Sequence, residues 1–339
     1  MPSATEICVI IAARDAAATI GSAIRSALSE PEVAEIVVVD DGSRDGTAES
    51  ALAADDGTGR VAVLRLTRNR GPAFARNHAI AHSTAPLLAI LDADDFFLPG
   101  RFARLLAQPD WDLIADNIVF LDAALAQNVP ETAEFAAAPR LLELAEFIEG
   151  NVARRGVRRG ELGFLKPVIR RAFLEREELR YDEELRLGED YELYVRALAR
   201  GGRYKIVHSC GYAAVVRPDS LSGRHRTEDL GRLRDADLSI LESEDLDGAA
   251  RAALVRHARH VGGRHALRRF LDIRSASGLA AAGIHALADP LALPAIVGGV
   301  LRDKIDARGG ALAPSHPNSG APRYLLVADA APGVRPKAG

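Results

Sequence analysis

Two groups of aspartates, each directly after an apolar segment, are the residues best suited to bind a cation. Asp40 and Asp41 follow the segment "EIVVV", and Asp92, Asp94 and Asp95 follow the segment "PLLAIL". Neighbouring carboxylates repel one another, so a folded protein must place protons, arginines or a cation beside them. Mg²⁺ takes oxygen ligands, commonly one or two carboxylates together with phosphate oxygens of a substrate. The pattern predicts a metal–diphosphate site, although acidic residues also occur in turns without such a role.

A further acidic pair, Glu189 and Asp190, lies in "LRLGEDYELYVRAL" at the start of a predicted amphipathic helix. Either carboxylate could act as a general base. Acids in a first helical turn are also favoured by the helix dipole, so the residues alone leave both interpretations open. The sequence has no G-x-x-x-x-G-K-[ST] loop, and "GTGRVA" (57–62) precedes a strand instead of following one. Phosphate is therefore expected to be held by metal and arginine.

The elements that must position these acids alternate along the first hundred residues. Near-continuous Val/Ile/Leu segments, separated by helical patterns, predict strands at 7–13, 35–40, 61–66 and 86–91. Such an alternation predicts an α/β fold with a Rossmann-like, mostly parallel central sheet and helices on both faces. Ligands of these sheets bind outside the carboxyl ends of the strands. Both aspartate groups should therefore face one crevice.

The rest of the chain has a mixed pattern followed by a helical one. Helices are predicted at 100–107, 141–150, 171–178 and 190–200, and strands near 112–120, 203–208 and 211–216. A C-terminal helical region rich in Ala, Arg and Leu is predicted over 226–310, followed by a flexible tail over 311–339.

Composition excludes several classes of protein. The formal net charge of −4 gives no general reason to expect nucleic acid as a partner. Two cysteines far apart, and no basic segment ahead of the first apolar run, favour a cytoplasmic protein. No apolar run reaches the roughly 20 residues of a spanning helix, and "PLALPAIVGGVL" (290–301) is expected to be a buried or interfacial segment.

Four segments together carry a resemblance: "VIIAARDAAATIGSAIRSAL", "IVVVDDGSRDGT", "RNRGPAFARNHAI" and "LDADD". Their order, spacing and placement at strand ends over 7–100 resemble the family 2 inverting glycosyltransferases of the GT-A fold. The stretch 146–193 is similar to bacterial exopolysaccharide glucosyltransferases of the succinoglycan type, which extend a lipid-linked oligosaccharide. The resemblance implies a GT-A domain over 1–225, with a nucleotide-sugar half (1–100) and an acceptor half (101–225).

The resemblance also implies a reaction and its participants. One sugar, glucose by the narrower similarity, would pass from a UDP-sugar to a hydroxyl of the acceptor, with Mn²⁺ or Mg²⁺ as cofactor. The absence of a Q-x-x-R-W motif and of a multispan region argues against a processive polymerase. The protein is expected in the cytoplasm, with possible peripheral contact to the inner face of the cell membrane.

Several residues are implied to bind the nucleotide. Asp41 would accept a hydrogen bond from uracil, and the backbone of Ala12 and Ala13 would face the base. Arg14 stands where the family often has an aromatic residue, and would either stack on the base or be solvated. Arg68 or Arg76, at the two ends of "RNRGPAFAR", could approach the nucleotide, and each could equally be a surface ion-pair partner.

The resemblance assigns the acids to metal binding and catalysis. Asp94 would be the main metal ligand, Asp92 would lie nearer the ribose and also reach the ion, and Asp95 could share it. Asp190 would be the catalytic base, with Glu189 as the second candidate.

Other basic segments have two interpretations each. The segment "VVRPDSLSGRHR" (215–226) resembles one that closes over diphosphate, with Arg217, Ser222 and His225 as candidates, or it is a solvated loop. The stretches 153–167 and 256–270 are either solvated faces or contacts to anionic lipid heads or the acceptor's diphosphate.

Two rival functions remain from the sequence. An Asp-x-Asp after an apolar strand also occurs in phosphatases that form an aspartyl phosphate, but these leave "DDGSRDGT" unexplained. A non-catalytic nucleotide-sugar or glycan-binding module could keep the fold without the base. Replacing Asp190 by Asn separates that module from an enzyme, because only an enzyme would lose turnover while keeping metal-dependent UDP binding.

Overall fold

The computed structural model describes residues 5–127, 129, 131–132, 137–152, 161–216, 226–288, 290, 292–308 and 322–326, with backbone alone for 302–308. The candidates Arg217, Ser222 and His225 lie outside the described residues, as does the arginine-rich stretch 153–160. The chain divides into two compact units, one of residues 1–218 with 322–339 and one of residues 219–321.

Strands and helices alternate through the first hundred residues, as predicted. Buried positions of the first helix recur at helical spacing (Ile20, Ala23, Ile24 and Ala27), which packs one face against the sheet. The elements are β1 (Ile7–Ala13), α1 (Ile20–Leu28), β2 (Val33–Asp40), α2 (Thr47–Leu52), β3 (Val61–Arg65), α3 (Pro72–Ala81) and β4 (Leu87–Ile90).

Short elements mix with two long strands in the rest of the first unit. They are β5 (Phe96–Phe97), α4 (Arg101–Leu106), β6 (Leu113–Leu121), α5 (Ala123–Gln127), β7 (Arg140–Leu141), α6 (Leu144–Gly150), β8 (Val168–Arg170), α7 (Arg171–Arg176), α8 (Glu189–Ala199) and β9 (Tyr204–Val215). A single 3₁₀ turn covers Leu162–Phe164.

The two strands predicted at 203–208 and 211–216 form one strand, β9, so that prediction was wrong. The polar "SCG" at its middle interrupts the apolar pattern, but the backbone continues through it. A shift of register near Asn117, where β6 pairs with β9, absorbs the irregularity. Gly211 permits the close packing, since a Cβ there would lie 2.1 Å from Oδ2 of Asp116.

The strands form one sheet in the order β3-β2-β1-β4-β8-β6-β9-β5, in which β7 pairs with β9 and β10 (Arg323–Tyr324) pairs with β6. The β3-β2-β1-β4 section is parallel, as is the long β6–β9 pairing. The short strand β8 is antiparallel to both β4 and β6 and joins the two halves. The predicted, mostly parallel central sheet is confirmed, and the carboxyl ends of β2 and β4 lie at the same edge.

Helices make up the described part of the second unit, which agrees with the helical region predicted from the sequence. They are α9 (Thr227–Ser243), α10 (Gly248–Ala288) and α11 (Leu293–Arg308). Helix α10 changes direction at Gly278, whose φ of 85° suits a residue without a side chain. None of the helices in the described residues combines the length and apolar character of a membrane span.

Candidate active site

The end of strand β2 places Asp41 against the loop that precedes α3. Its backbone N–H donates to the carbonyl of Ala13, at the end of the neighbouring strand, over 2.8 Å. Its carboxylate accepts hydrogen bonds from the backbone N–H groups of Arg70 (2.6 Å) and Gly71 (2.8 Å). Burial raises the pKa of Asp41, and these two bonds lower it only in part. Asp41 is thus held by uncharged donors at the beginning of a helix.

A glycine allows this close contact between the two loops. Gly42 has a φ of 68°, and a Cβ on it would lie 2.7 Å from the carbonyl carbon of Arg68. The preceding Asp40 accepts a hydrogen bond from the backbone N–H of Ser43 over 2.9 Å, which is the turn role available to such a residue. The "DDG" of the sequence is therefore a turn that presses Asp41 onto the next loop.

Other residues predicted to bind the nucleotide lie around this turn. Ala12 is half-buried and Ala13 buried at the end of β1, beside Asp41. Arg14 is exposed and lies near Asp41, whose pKa its charge lowers. The side chain of Arg68 is exposed, and its backbone is what packs on the turn. The nucleotide contacts of these residues stay predictions.

The end of strand β4 places Asp92 between two buried cations. Arg76 Nη2 lies 3.1 Å from Asp92 Oδ1, and Lys166 Nζ lies 2.9 Å from Oδ2. Both cations are nearly inaccessible to solvent, whereas 35% of the Asp92 side chain is exposed. Burial raises the pKa of Asp92, but the charges of Lys166 and Arg76 outweigh it and hold this pKa below its usual range.

The same two cations contact the acids at the start of α8. Lys166 Nζ lies 2.9 Å from Asp190 Oδ2, and Arg76 Nη1 lies 3.0 Å from Asp190 Oδ1. Glu189 Oε1 accepts a hydrogen bond from Arg76 Nη1 over 2.6 Å. The structure therefore brings together Asp92 and Asp190, which are almost a hundred residues apart, around Arg76 and Lys166.

Arg76 is a central residue of this cluster and not a surface ion-pair partner. It is 5% exposed, and although burial lowers its pKa, the charges of Asp190 and Glu189 raise that pKa well above the usual value. The next residue, Asn77, exchanges hydrogen bonds with the backbone of Tyr181, so α3 also fixes the loop that leads to α8. The guanidinium of Arg76 lies 5.4 Å from the centre of the Tyr181 ring.

The remaining acids of the Asp-x-Asp segment differ in their surroundings. Asp95 is buried, and its carboxylate accepts hydrogen bonds from the Tyr212 hydroxyl (2.8 Å) and the Val215 backbone N–H (2.9 Å). Burial, with the charges of Asp92 and Asp94, raises the pKa of Asp95 to about 8. Asp94 is half-buried. In the described part of the chain, no three or more His, Cys, Asp or Glu side chains are grouped as a metal site.

The contacts of these aspartates bear on which of them could be ligands of a metal ion. The oxygens of Asp92 contact Arg76 and Lys166, and those of Asp95 contact Tyr212 and Val215. The roles of the three aspartates at a metal stay predictions. A cation held jointly with a diphosphate needs only one or two carboxylates. Carboxylate oxygens are donors that a hard divalent cation prefers, so the residues of this segment fit such an ion together with a diphosphate. The role of Asp94 as its protein ligand stays a prediction.

Lys166 is the residue of the cluster for which no such role was predicted from the sequence. It lies in the stretch 153–167, predicted to be a solvated face or a contact to anionic groups, and for this residue the prediction was wrong, because the structure buries it between two acids. It lies in "FLKPVI", where a lysine stands between apolar residues in a chain with only four lysines. A lysine that is 6% exposed must be paired, because burial of an isolated ammonium is strongly unfavourable. Burial lowers the pKa of Lys166, but Asp190 and Asp92 raise it above its usual range. An isolated lysine in an apolar segment was the available signal.

Comparisons with known proteins match this chain to a family and to a relative along nearly its whole length. The family model described as glycosyl transferase family 2 matches residues 8–133. The succinoglycan biosynthesis protein ExoU of Rhizobium meliloti (strain 1021) is 58% identical over 326 residues, which are 95% of this chain and 95% of that protein.

Two solved structures share the fold at low sequence identity. S. aureus TarS 1-349 in complex with UDP-GlcNAc has a TM-score of 0.57 and 19% identity, over 80% of this chain and 74% of that one. The mannosyltransferase PcManGT from Pyrobaculum calidifontis, in complex with GDP-Man and Mn²⁺, has a TM-score of 0.52 and 18% identity, over 89% and 82%. These likenesses concern the fold alone.

Proposed function

The chain belongs to glycosyl transferase family 2 and is a glycosyltransferase of the GT-A fold, and from this we propose that it transfers one sugar, with inversion, from a UDP-sugar to a hydroxyl of a lipid-linked oligosaccharide. The pathway proposed is exopolysaccharide biosynthesis, since the Rhizobium meliloti relative is a succinoglycan biosynthesis protein. Glucose is the sugar proposed for the donor, from the narrower similarity of residues 146–193. A phosphatase is not consistent with this family.

One observation carries the proposal: Asp190 lies in a buried cluster with Asp92, the first acid of the Asp-x-Asp segment. Inverting transfer at an anomeric carbon needs a base on the side opposite the leaving group, by the logic of inverting glycoside hydrolysis. Lys166 contacts both acids, which supports a base close to the place where the donor's reacting end would bind.

In the proposed reaction, Asp190 takes the proton of the acceptor hydroxyl. The hydroxyl oxygen forms its bond to the anomeric carbon while the bond from that carbon to the diphosphate oxygen breaks, and the electron pair leaves with UDP. Arg76, a permanently charged group within 3.1 Å of Asp92, keeps a positive charge at this end of the crevice. A base that is buried and held on a helix start loses little to reorganisation.

A divalent cation, Mn²⁺ or Mg²⁺, is proposed as cofactor. When bound, it would neutralise the charge of the diphosphate. Asp94 is proposed as its main protein ligand from its place in the Asp-x-Asp segment "LDADD", by the resemblance of that segment to the family. The Mn²⁺ in the PcManGT complex supports a metal in this fold.

The nucleotide is proposed to bind at the end of β2. Asp41 would accept a hydrogen bond from uracil, and its two backbone donors hold the carboxylate in place for that role. The backbone of Ala12 and Ala13 would face the base, with Arg14 and Arg68 at its rim. Arg217 remains a candidate for the diphosphate from the sequence.

A membrane surface is proposed as the place of the reaction, because the acceptor is lipid-linked. Helices α10 and α11 line an open apolar groove of about 370 Å³, in which Leu287 and Leu301 are 70% and 54% exposed. Arg264, Arg268 and Arg269 are exposed on α10 and complement anionic lipid heads. Binding to phosphatidylglycerol vesicles should be strong at low salt and weaker in the Leu287→Glu variant. No binding at low salt would contradict this part of the proposal.

The function is tested by transfer assays with a panel of UDP-, GDP- and dTDP-sugars, with Mn²⁺ or Mg²⁺ and with chelator. We expect transfer from a UDP-sugar to a lipid-linked oligosaccharide, and loss of transfer with chelator. The Asp190→Asn variant should bind UDP and transfer nothing, which separates an enzyme from a binding module. Absence of transfer from every donor, or full activity of Asp190→Asn, would contradict the proposal.

A further inference from the structure

We infer that Lys166 is the positioning residue of the catalytic base: it holds one oxygen of Asp190 and leaves the other to receive the proton. This inference rests on the proposed function. It adds a residue to the reaction and assigns separate tasks to the two oxygens of the base.

The two oxygens of Asp190 have different surroundings. Oδ2 accepts a hydrogen bond from Lys166 Nζ over 2.9 Å. Oδ1 is buried and lies 3.0 Å from Arg76 Nη1. That contact is an ion pair without the geometry of a directed hydrogen bond, in contrast to the bond on Oδ2. A carboxylate oxygen has two lone pairs, so Oδ1 can still accept the proton of the acceptor hydroxyl.

The backbone brings Lys166 to this place by the register of the sheet. Strand β8 pairs with β4 so that Val168 lies opposite Ala89. Continuing the antiparallel register by two residues places Lys166 opposite Leu91, next to Asp92. A lysine that enters β8 at this point can reach the end of β4 and the start of α8 together.

A second buried ion pair fixes the backbone of Lys166. The guanidinium of Arg101 donates to the Lys166 carbonyl and also pairs with Asp116, whose Oδ1 lies 2.9 Å from Arg101 Nη2. Arg101 is fully buried, and 1% of Asp116 is exposed. Gly211 leaves the space that this pair occupies. Lys166 is therefore anchored at both its backbone and its ammonium, as a group that sets the position of a base must be.

Neutralisation of Asp92 is the competing explanation, because Lys166 contacts that acid as well. The two roles differ in a double substitution. If Lys166 only balances Asp92, its loss should have no effect once Asp92 is uncharged. If Lys166 positions Asp190, its loss should matter to the same degree with or without the charge on Asp92.

The test measures kcat, the KM for the UDP-sugar and UDP affinity for the wild type, Lys166→Met, Asp92→Asn and the double variant. Loss of alignment at a reacting group lowers the rate by about 100-fold. We expect kcat of Lys166→Met to fall by about that factor, with donor KM within a few-fold, and the double variant to lie equally far below Asp92→Asn. Lys166→Arg, which keeps a cation, should recover at least part of kcat.

Several outcomes would overturn the inference. One is wild-type kcat in Lys166→Met, and another is a double variant as active as Asp92→Asn. If Lys166→Met does not fold, by circular dichroism, the comparison of the double variant with Asp92→Asn decides alone. If the double variant does not fold either, Lys166→Arg decides by its kcat and donor KM, and a loss confined to KM overturns the inference. A wild type without transfer refutes the proposed function itself, whereas an active wild type with an unaffected Lys166→Met refutes only the role of Lys166.

Discussion

The two acidic strand ends of this sheet look alike in sequence but are built differently. At the end of β2, Asp41 is held by two backbone N–H groups, and its pKa is raised. At the end of β4, Asp92 is held by the side chains of Arg76 and Lys166, and its pKa is lowered. Uncharged donors hold one acid, and buried cations hold the other.

The difference indicates that the two acids have separate functions within one crevice. An acid fixed by backbone groups is suited to recognise an uncharged partner such as a nucleobase. An acid tied by two cations to a second acid, Asp190, is suited to a place where charge and protons move. Helix α3 serves both, because the N–H of Gly71 just before it binds Asp41 and its fifth residue, Arg76, binds Asp92.

The largest expected difference concerns the metal. Asp94→Ala should lose the increase in UDP affinity that Mn²⁺ provides. We expect the Mn²⁺-dependent affinity of the variant to be at least about 100-fold lower than that of the wild type, since even partners outside the first coordination sphere contribute 10–100-fold. Asp40→Ala, at the end of β2, is the matched control and should keep that increase. Isothermal titration with Mn²⁺ and with chelator measures both. If Mn²⁺ increased the UDP affinity of Asp94→Ala as much as that of the wild type, the proposal that the metal binds at the end of β4 would be contradicted.

A second prediction compares the stability contributed by the turn after β2 with that of the Arg101–Asp116 pair, which holds the backbone of Lys166 beside the end of β4. Asp116→Asn leaves Arg101 buried without a counter-ion and should lower the free energy of unfolding by about 3–5 kcal/mol. Asp40→Asn disturbs one turn hydrogen bond and should cost about 1 kcal/mol. Urea unfolding followed by the fluorescence of Trp111, the single tryptophan and a buried residue of the sheet unit, measures both. Equal costs would mean that the Arg101–Asp116 pair, which holds the backbone of Lys166, does not stabilise the fold.

A third prediction separates binding from chemistry. Asp41→Asn replaces one of the oxygens that accept backbone hydrogen bonds, and should weaken UDP binding by about tenfold, the worth of one to two kcal/mol. Its kcat at saturating donor should stay within a few-fold of the wild type. Steady-state kinetics over a range of donor concentrations decides this. A collapse of kcat with unchanged KM would assign Asp41 to the chemistry and erase the distinction between the ends.

The smallest effect concerns a residue that links the strands carrying the two ends. Glu35 of β2 accepts hydrogen bonds from the hydroxyl and backbone N–H of Thr84, just before β4. Burial raises the pKa of Glu35, but these bonds outweigh it and lower the pKa below its usual value. The folded state therefore binds protons more weakly, so Glu35 contributes stability above about pH 4.3 that is lost as the pH falls through its folded pKa.

The measurement for Glu35 is the difference in unfolding free energy between the wild type and Glu35→Gln. We expect this difference to be constant from pH 8 to about pH 5 and to shrink at lower pH. Thr84→Val should reduce the pH dependence, because it removes the hydroxyl donor and leaves the backbone donors of Thr84 and Ala85. A difference that grows on acidification would contradict the direction of the shift.

The sequence was sufficient for much of the fold because its signals are local. The apolar runs of β1 and β4 and the helical spacing of α1 each identify an element from adjacent residues. The short strands β5, β7 and β8 were not predicted, since two or three residues carry no period and depend on pairing with distant strands. Strand β9 was divided in two because the polar "SCG" interrupts its apolar pattern. The close packing of Gly211 against Arg101 and Asp116, which the continuous strand contains, has no local signature.

The site residues that belong to local motifs could be predicted from the sequence. The residues that are brought together only by the pairing of distant elements could not. The aspartates after β2 and β4 follow from strand ends, which a sequence reveals. The burial of Arg76 and the presence of Lys166 depend on α3, β8 and α8 meeting at one point. Residues brought together by strand register across ninety or so positions have no signature in a single sequence. The exception is a lysine within an apolar segment, because a buried lysine needs an acidic partner.

The central claim is that the cluster around Asp190 performs the chemistry while the end of β2 binds the nucleotide. It is tested most directly by measuring sugar transfer and UDP affinity on one preparation of Asp190→Asn, in which the base is lost and the shape is kept. The account predicts a loss of transfer by about 10²–10⁴-fold with UDP affinity within a few-fold of the wild type. Transfer at the wild-type rate, with or without a change in UDP affinity, would contradict it.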